Sequence, residues 1–412
     1  MQLSISKANK TITGNIHLPS SKSISNRVLI INALSYSPYT IDNLSDSDDT
    51  KVLNNILNAD NNIFDVGHAG TAMRFLTAFL SKVMGEWTLT GSDRMRQRPI
   101  GILVDALRKL GASIEYIENE GFPPLRIVGV ALKGGTIELD GSVSSQYISA
   151  LLMIAPTVQN GLTLRLLNNV TSRPYIELTL KLMERFGIHY SWKGNEIRIN
   201  EQTYHPIQFT VEADWSGASY WYAMASLADD CNLLLEGLQL QSLQGDASQS
   251  KWFEKYFGVQ SKQEINGIRL TKTDIPNINS LELDFIENPD IAQTFTVLCV
   301  CKQLPFHFKG LQTLKIKETD RISALQTELS KFGARLTEPA HGELAWEGKV
   351  DDSLIQALPL INTYHDHRMA LAFAPAALCL PKITIDDPMV ITKSYPAFYE
   401  DLNKVGFRIE IE

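Results

Sequence analysis

The chain has 412 residues, 44% hydrophobic and 20% charged, which fits a globular protein of two or three domains and excludes a disordered or fibrous chain. With 38 Lys and Arg against 46 Asp and Glu, the formal net charge is −8. A nucleic-acid or membrane-coating role is therefore excluded, and any bound anion must be met by a local basic cluster. The apolar stretches 148–158 and 369–380 are shorter than the roughly 18 residues of a membrane span, and residues 1–7 lack the basic-then-apolar order of a secretory leader. A cytoplasmic enzyme is expected. Cys231, Cys299, Cys301 and Cys379 have neither a disulfide framework's density nor zinc-type spacing. Cys299 and Cys301 are expected to pack as small apolar side chains.

In chain order, Pro19-Ser-Ser21-Lys22-Ser23-Ile-Ser-Asn-Arg27 leads into an apolar series at Ile24, Val28 and Ile31, predicting a helix capped by Ser21 or Ser23. Ser23 and Arg27 are i,i+4 neighbours and Lys22 stands just ahead. Hydroxyl, guanidinium and ammonium would then converge where free backbone N–H groups face an anion. The spacing is not that of a nucleotide P-loop, and an ordinary capped helix with solvated basic residues fits the segment equally well. Gly67-His68-Ala-Gly70-Thr71-Ala-Met-Arg74 opens a second helix whose inner stripe is Met73, Leu76 and Leu80. There Thr71 is able to cap, and the glycines allow close approach of a ligand.

Arg94-Met-Arg96-Gln-Arg98-Pro99 places three guanidinium groups close together, as a solvated loop or as an anion-recognition loop. Ser144-Ser145-Gln146 and Ser172-Arg-Pro-Tyr175 set neutral donors and acceptors before apolar helices, either as caps or as readers of a polyol. In the second half, Asp290, Lys317-Glu318-Thr-Asp320-Arg321, Asp366-His367-Arg368-Met369 and Lys393-Ser-Tyr-Pro396 each precede or open a predicted helix. Acids are natural there, but Lys and Arg oppose the helix dipole. Four such sites point to a shared anionic ligand that offsets the repulsion.

A longer pattern runs beneath these motifs. Amphipathic helices ending in glycine and followed by a short alternating strand recur at Gly111, Gly187, Gly258, Gly333 and Gly406, 71 to 76 residues apart. Glycine supplies the left-handed residue that stops each helix. The segment 53–64 reads as a degenerate first copy with Asn58 at the turn. Six units of about 70 residues would use the whole chain, as stacked small domains rather than a rod.

Taken together and in order, the motifs resemble those of the 5-enolpyruvylshikimate-3-phosphate synthases, which are enolpyruvyl transferases. The resemblance runs from Leu18 to near Phe398. Its carriers are Lys22-Ser23-x-x-x-Arg27, Ala69-Gly70-Thr71-Ala-Met-Arg74, Arg94-Met-Arg-Gln-Arg98-Pro, Ser144-Ser-Gln146, Asp214-Trp-Ser-Gly-Ala-Ser-Tyr220, Lys317-Glu-Thr-Asp-Arg321, Asp366-His-Arg-Met369 and Lys393-Ser-Tyr-Pro. It implies an α/β fold of two lobes, an inside-out α/β barrel with three βαβαββ units per lobe. One lobe would span 21–212 and mainly bind shikimate 3-phosphate. The other, 1–20 and 213–412, would carry the acid/base residues and part of the phosphoenolpyruvate site.

The resemblance assigns Lys22, Ser23, Arg27, Ser144, Ser145, Gln146, Ser172, Tyr175, Asp290 and Lys317 to shikimate 3-phosphate. It assigns Lys22, Gly70, Arg98, Gln146, Arg321, Arg368 and Lys393 to phosphoenolpyruvate. Asp290 is the implied base, Glu318 the implied acid at C3 with Lys22 a second proton-transfer candidate, and His367 a support for Arg368. No cofactor or metal is expected, and the partners are small-molecule substrates rather than nucleic acid or membrane, with a monomer expected.

Ser20, His68, Phe75 and Thr313 stand where the family usually has other residues, which bears on affinity and glyphosate response rather than on reaction class. The sister transferase acting on UDP-N-acetylglucosamine uses a first-half cysteine, whereas no cysteine here precedes Cys231. A non-catalytic anion-binding module would have no use for Asp290 and Glu318.

Overall fold

The computed structural model describes residues 1–412 apart from Val143, Asn169, Ile275 and Pro276. The chain forms two compact units. An inserted unit spans Ser20–Val211, and a terminal unit combines Met1–Pro19 with Glu212–Glu412.

In the inserted unit, the sheet of residues 63–129 shows how the repeat is built. Ile63–Asp65 runs parallel to Gly85–Thr90, which pairs antiparallel with Leu125–Gly129, which in turn pairs antiparallel with Ser113–Tyr116. Helix Gly70–Leu80 joins the parallel pair, and helix Gly101–Lys109 leads into the final hairpin. The same pairing recurs among Lys133–Asp140, Gln159–Leu167, Glu196–Ile199 and Ser191–Lys193, served by helices Ser145–Ile154 and Arg173–Arg185. A reduced version pairs Phe209–Thr210 with Ile41–Asp42 in parallel.

The terminal unit repeats the scheme with Thr11–His17, Asp230–Glu236, Gly267–Lys272 and Val259–Glu264. A shorter sheet follows, of Leu281–Asp284, Phe306–Lys309 and Leu344–Trp346. In the last sheet, Leu360–Ile361 pairs with Ile383–Asp386, and Gln2–Ser6 lies between that strand and Arg408–Ile411.

All five repeat glycines have φ between +62° and +93°, the region that penalises any side chain. At Gly187 a Cβ would also lie 2.6 Å from His205 Nδ1, whereas at Gly111 it would meet nothing within 4 Å. Two sequence expectations need correction. Asn58 ends helix Asp48–Leu57 with φ −108° rather than in the left-handed region. After Gly333 the chain makes only the isolated bridges Ala334–Val350 and Thr337–Ala345, not a strand.

Strand patterning puts one face of a sheet in the core. Along Thr11–His17 only Ile12 and Ile16 are buried, as expected of a sheet with one solvated face. The central helices are buried on nearly every side, among them Trp215–Leu227 and Ala292–Cys301. The latter packs against both the former and His367–Phe373, as helices apolar all round must. Phe295 is fully buried, with Phe253, Phe285 and Trp252 at centroid distances of 4.8, 5.5 and 5.6 Å. Cys299 is buried as expected, but Cys301 is only half-buried and its thiol meets that of Cys379. Among the described residues no helix is long and apolar enough to cross a membrane.

Candidate active site

The predicted site residues fall into one set in each unit. In the inserted unit, Ser21 is the cap of helix Lys22–Leu34, its Oγ accepting from Ile24 N at 3.4 Å. That leaves Lys22 and Ser23 in the first turn. Arg27, one turn further, is 3% exposed. Its Nε donates to Thr179 Oγ1 at 2.7 Å, and its Nη atoms donate to the Ser23 carbonyl (2.9 Å), Ser149 Oγ (3.2 Å) and the Tyr175 carbonyl (3.3 Å). The ring of Phe75 lies 5.6 Å from the guanidinium carbon.

These partners are all neutral. Burial pushes the Arg27 guanidinium down to about 10, so it remains charged at neutral pH while lacking an internal counter-ion among the described residues. Lys22 instead faces Asp49, with Nζ and Oδ2 3.7 Å apart.

Gly70 opens helix Gly70–Leu80 with no side-chain cap. Thr71, a possible cap by sequence, lies inside the helix, and its Oγ1 accepts from Gln146 Nε2 at 3.1 Å. A Cβ on Gly70 would come within 2.7 Å of both Arg98 Nη1 and Arg74 Nη1, so glycine is what allows the two guanidinium groups to sit over the helix terminus. Ser144 caps helix Ser145–Ile154 by accepting from Gln146 N. Ser172, before helix Arg173–Arg185, is left-handed (φ 52°) and makes no side-chain cap. Strain of this kind in a non-glycine residue marks a constrained local geometry. His68 Nδ1 lies 2.9 Å from Ser92 Oγ.

In the terminal unit the cations meet carboxylates. Arg321, 1% exposed, donates from Nε and Nη2 to Asp366 (2.7 and 3.3 Å), from Nη2 to Glu318 (2.9 Å) and from Nη1 to Asp290 (3.4 Å). Arg368 Nη2 lies 3.0 Å from Asp290 Oδ2, and its Nη1 donates to Tyr220 Oη at 3.4 Å. Lys393 Nζ donates to Glu318 Oε1 at 2.5 Å, and Lys317 Nζ is 3.8 Å from Asp290. The expectation that these cations require an external anion is therefore corrected, because internal carboxylates already offset their position at helix ends.

Burial alone would raise the Glu318 carboxyl, but Lys393, Arg321 and His367 outweigh it and hold it well below the carboxylate range. Burial lowers Lys317, with Asp290 acting in the opposite sense. His367 is buried, its Nδ1 3.7 Å from Asp366. Thr313 Oγ1 is buried without a hydrogen-bond partner among the described residues.

Sequence reasoning did not single out Thr179 and Ser149, and it named Asp366 and Tyr220 only as motif members without their partners. Thr179 and Ser149 are polar residues on the apolar, buried faces of their helices, a visible signal. Asp366 and Tyr220 find their partners only through long-range packing. Among the described residues no group of three His, Cys, Asp or Glu stands where it could share a metal ion.

The fold is that of the enolpyruvyl transferases. The chain is similar over its full length to EPSP synthase from Acinetobacter baumannii (TM-score 0.79, 22% identity, 100% of both chains). It is also similar to the enolpyruvyl transferase NikO from Streptomyces tendae (TM-score 0.75, 16% identity, 99% and 98%). In sequence it is 53% identical over 401 residues to the 3-phosphoshikimate 1-carboxyvinyltransferase of Bacteroides fragilis strain YCH46, covering 97% of each. It is 37% identical over 418 residues to that of Vibrio cholerae serotype O1 strain M66-2, covering 94% and 96%. Residues 6–59 and 53–402 match the family described as EPSP synthase (3-phosphoshikimate 1-carboxyvinyltransferase), and the chain belongs to that family. Its activity is 3-phosphoshikimate 1-carboxyvinyl transfer, a step of the shikimate pathway.

Proposed function

We propose that the two residue sets divide this reaction between recognition and proton transfer. Shikimate 3-phosphate is held by Lys22, Ser23, Arg27, Ser144, Ser145, Gln146, Ser172 and Tyr175, with Asp290 and Lys317. Phosphoenolpyruvate is held by Lys22, Gly70, Arg98, Gln146, Arg321, Arg368 and Lys393. Forked guanidinium groups suit phosphate and carboxylate, and neutral hydroxyls and amides suit the hydroxyls of the ring. The observation that carries this reading is the terminal-unit lattice in which Asp290 and Glu318 share Arg321 while Arg368 and Lys393 hold their other sides.

Asp290 accepts the proton of the 5-hydroxyl as that oxygen bonds to C2 of phosphoenolpyruvate. C3 takes a proton from Glu318. In the second half that proton returns, the C2–C3 double bond re-forms and the C2–O bond to phosphate breaks, with the electron pair leaving on phosphate. Glu318 is ionised while Lys393 and Arg321 hold it. A phosphoenolpyruvate anion competing for those two cations leaves burial as the dominant influence, and burial favours the protonated acid. Substrate binding thus arms the acid, and Lys22 is the alternative donor. The cations that release Glu318 then stabilise charge developing on carboxylate and phosphate.

Three βαβαββ units per lobe, an inside-out barrel, lobe boundaries at 21–212 against 1–20 and 213–412, and a cytoplasmic monomer complete the proposal. The six sheets among the described residues, each with one parallel strand pair, support the repeat. The deciding assay is phosphate release from phosphoenolpyruvate: it should require shikimate 3-phosphate. Turnover with UDP-N-acetylglucosamine and none with shikimate 3-phosphate would sink the reading.

A further inference from the structure

Behind Asp290 lies a buried carboxyl that the reaction described above does not use. Asp246 sits in the short turn Gly245–Ser248 and is 5% exposed. Its Oδ2 accepts from Ser216 Oγ at 2.5 Å and its Oδ1 accepts from Asn288 Nδ2 at 3.1 Å. Ser216 belongs to the first turn of helix Trp215–Leu227, which Asp214 caps by accepting from Gly217 N at 3.1 Å. Asn288, 4% exposed, is the residue before the turn Pro289–Ile291 that presents Asp290. Its main chain closes that turn, receiving Ile291 N at 3.3 Å and donating to the Phe285 carbonyl at 3.0 Å. One carboxyl therefore ties the start of a core helix to the peptide that carries the base.

A tie alone would not need a charge. An asparagine could accept from Asn288 and donate to Ser216 without bringing an ionisable group into the interior, where an unpaired carboxylate is costly. What the carboxyl adds is negative potential beside Asp290. Lys317 from the preceding loop, Arg321 from helix Arg321–Ser330 and Arg368 from helix His367–Phe373 all face Asp290 and act to weaken it as a proton acceptor. Burial first, and then the charge of Asp290, push the Asp246 carboxyl up to about 6, against the Ser216 and Asn288 bonds and the charge of Arg368. The repulsion is mutual, so an ionised Asp246 strengthens Asp290 as an acceptor.

We propose that Asp246 is a positioning residue for this reaction: it fixes the Asn288–Asp290 turn and, when ionised, preserves the proton affinity of Asp290 against the surrounding cations. The inference rests on the reading of Asp290 as the base. It makes turnover depend on a second carboxyl with an acid limb near its own titration, distinct from any group that touches substrate.

The test is steady-state kinetics from pH 5 to 8 on the full chain with Asp246→Asn, Ser216→Ala and Asp290→Asn, each with its thermal midpoint recorded. Asp246→Asn should lower kcat by about 10-fold, within the 100-fold range that misplaced catalytic groups produce. It should leave both KM values within about twofold and abolish the acid limb near pH 6. Ser216→Ala removes a bond that favours the ionised form, so its acid limb should move to higher pH. Wild-type kcat and an unmoved limb in Asp246→Asn would overturn the inference. So would a lower midpoint and lower kcat with the limb unmoved, since that is a structural role only. If Asp290→Asn keeps full turnover, the reading of the base itself fails. If Asp290→Asn is inactive and Asp246→Asn is not, only the role of Asp246 is lost.

Discussion

Arg27 and Arg321 are both buried arginines near the start of helices, yet their surroundings are opposites. Arg27 is held by hydroxyls and carbonyls, and burial draws its guanidinium down to about 10. Burial pulls on Arg321 as well, but Asp366, Glu318 and Asp290 outweigh it and raise the group above its usual value. A guanidinium with neutral partners keeps its charge for a ligand, and an arriving anion there displaces no internal counter-ion. A guanidinium with acidic partners has its charge already answered, and an arriving anion must compete with carboxylates whose protonation then changes. Under the assignment proposed above, the first arrangement serves recognition, and the second couples binding to proton transfer.

The contrast can be broken most severely at the proposed base. Asp290→Asn should cut kcat by about 10² to 10⁴, the usual contribution of a positioned acid or base, while changing the KM for shikimate 3-phosphate little. Equal turnover would remove it from that role. Next comes the direct comparison of the two arginines. Arg321→Ala leaves buried carboxylates facing one another and should cost about 3–5 kcal/mol in urea unfolding. Arg27→Ala should leave unfolding much less affected, because Thr179 and Ser149 bond each other at 2.8 Å. It should instead raise the KM for shikimate 3-phosphate about 10- to 150-fold, the equivalent of one charged hydrogen bond at 1.5–3 kcal/mol. If both variants behave alike in both measurements, the distinction fails.

Arg98→Ala should weaken phosphoenolpyruvate by about 10-fold in KM with a smaller change in kcat, given the exposed end of the same range of bond energies. An unchanged KM would take Arg98 out of the site. The pH dependence of stability sharpens the terminal-unit half. Because the folded Glu318 carboxyl lies below its ordinary value of 4.5, its contribution is present above that value and is lost as pH falls through the folded value. Glu318→Gln should flatten this acid-side loss in thermal midpoints below pH about 4.5, and an unaltered slope would show that Lys393 and Arg321 do not hold it. The smallest effect separates two repeat glycines of the inserted unit. Gly111→Ala should cost about 1–2 kcal/mol from left-handed strain alone, and Gly187→Ala more, since His205 blocks the added methyl.

The repeat was legible because it rests on a local requirement. A helix that stops on a left-handed residue needs glycine wherever it occurs, and five such positions reveal their period without any tertiary information. Where the local requirement lapses, legibility lapses too: Asn58 ends its helix without the left-handed turn, and Gly333 leads only into bridges.

The candidate site residues were visible through motif resemblance, but their electrostatic state was not. Lys and Arg at helix starts read as charges awaiting a ligand, whereas Asp366 answers Arg321 from 45 residues away and Asp290 answers Arg368 from the turn Pro289–Ile291. Thr71 read as a possible cap by its place after glycine. Its role as acceptor for Gln146, 75 residues on, depends on packing that no local pattern encodes.

The last sheet of the terminal unit has a consequence for synthesis. Gln2 and Ser6 pair with Asp386 and Arg408, so the strand Gln2–Ser6 is made first and its partners last. At 5–20 residues per second, that strand waits roughly 20–80 s with its edges unpaired. In the inserted unit the strand pair furthest apart in sequence, Ile41–Asp42 with Phe209–Thr210, needs only the first 210 residues, so its wait is less than half as long. On the ribosome, all the neutral partners of Arg27, which lie within residues 23–179, are therefore synthesised long before Asp366 and Lys393 complete the carboxylate lattice.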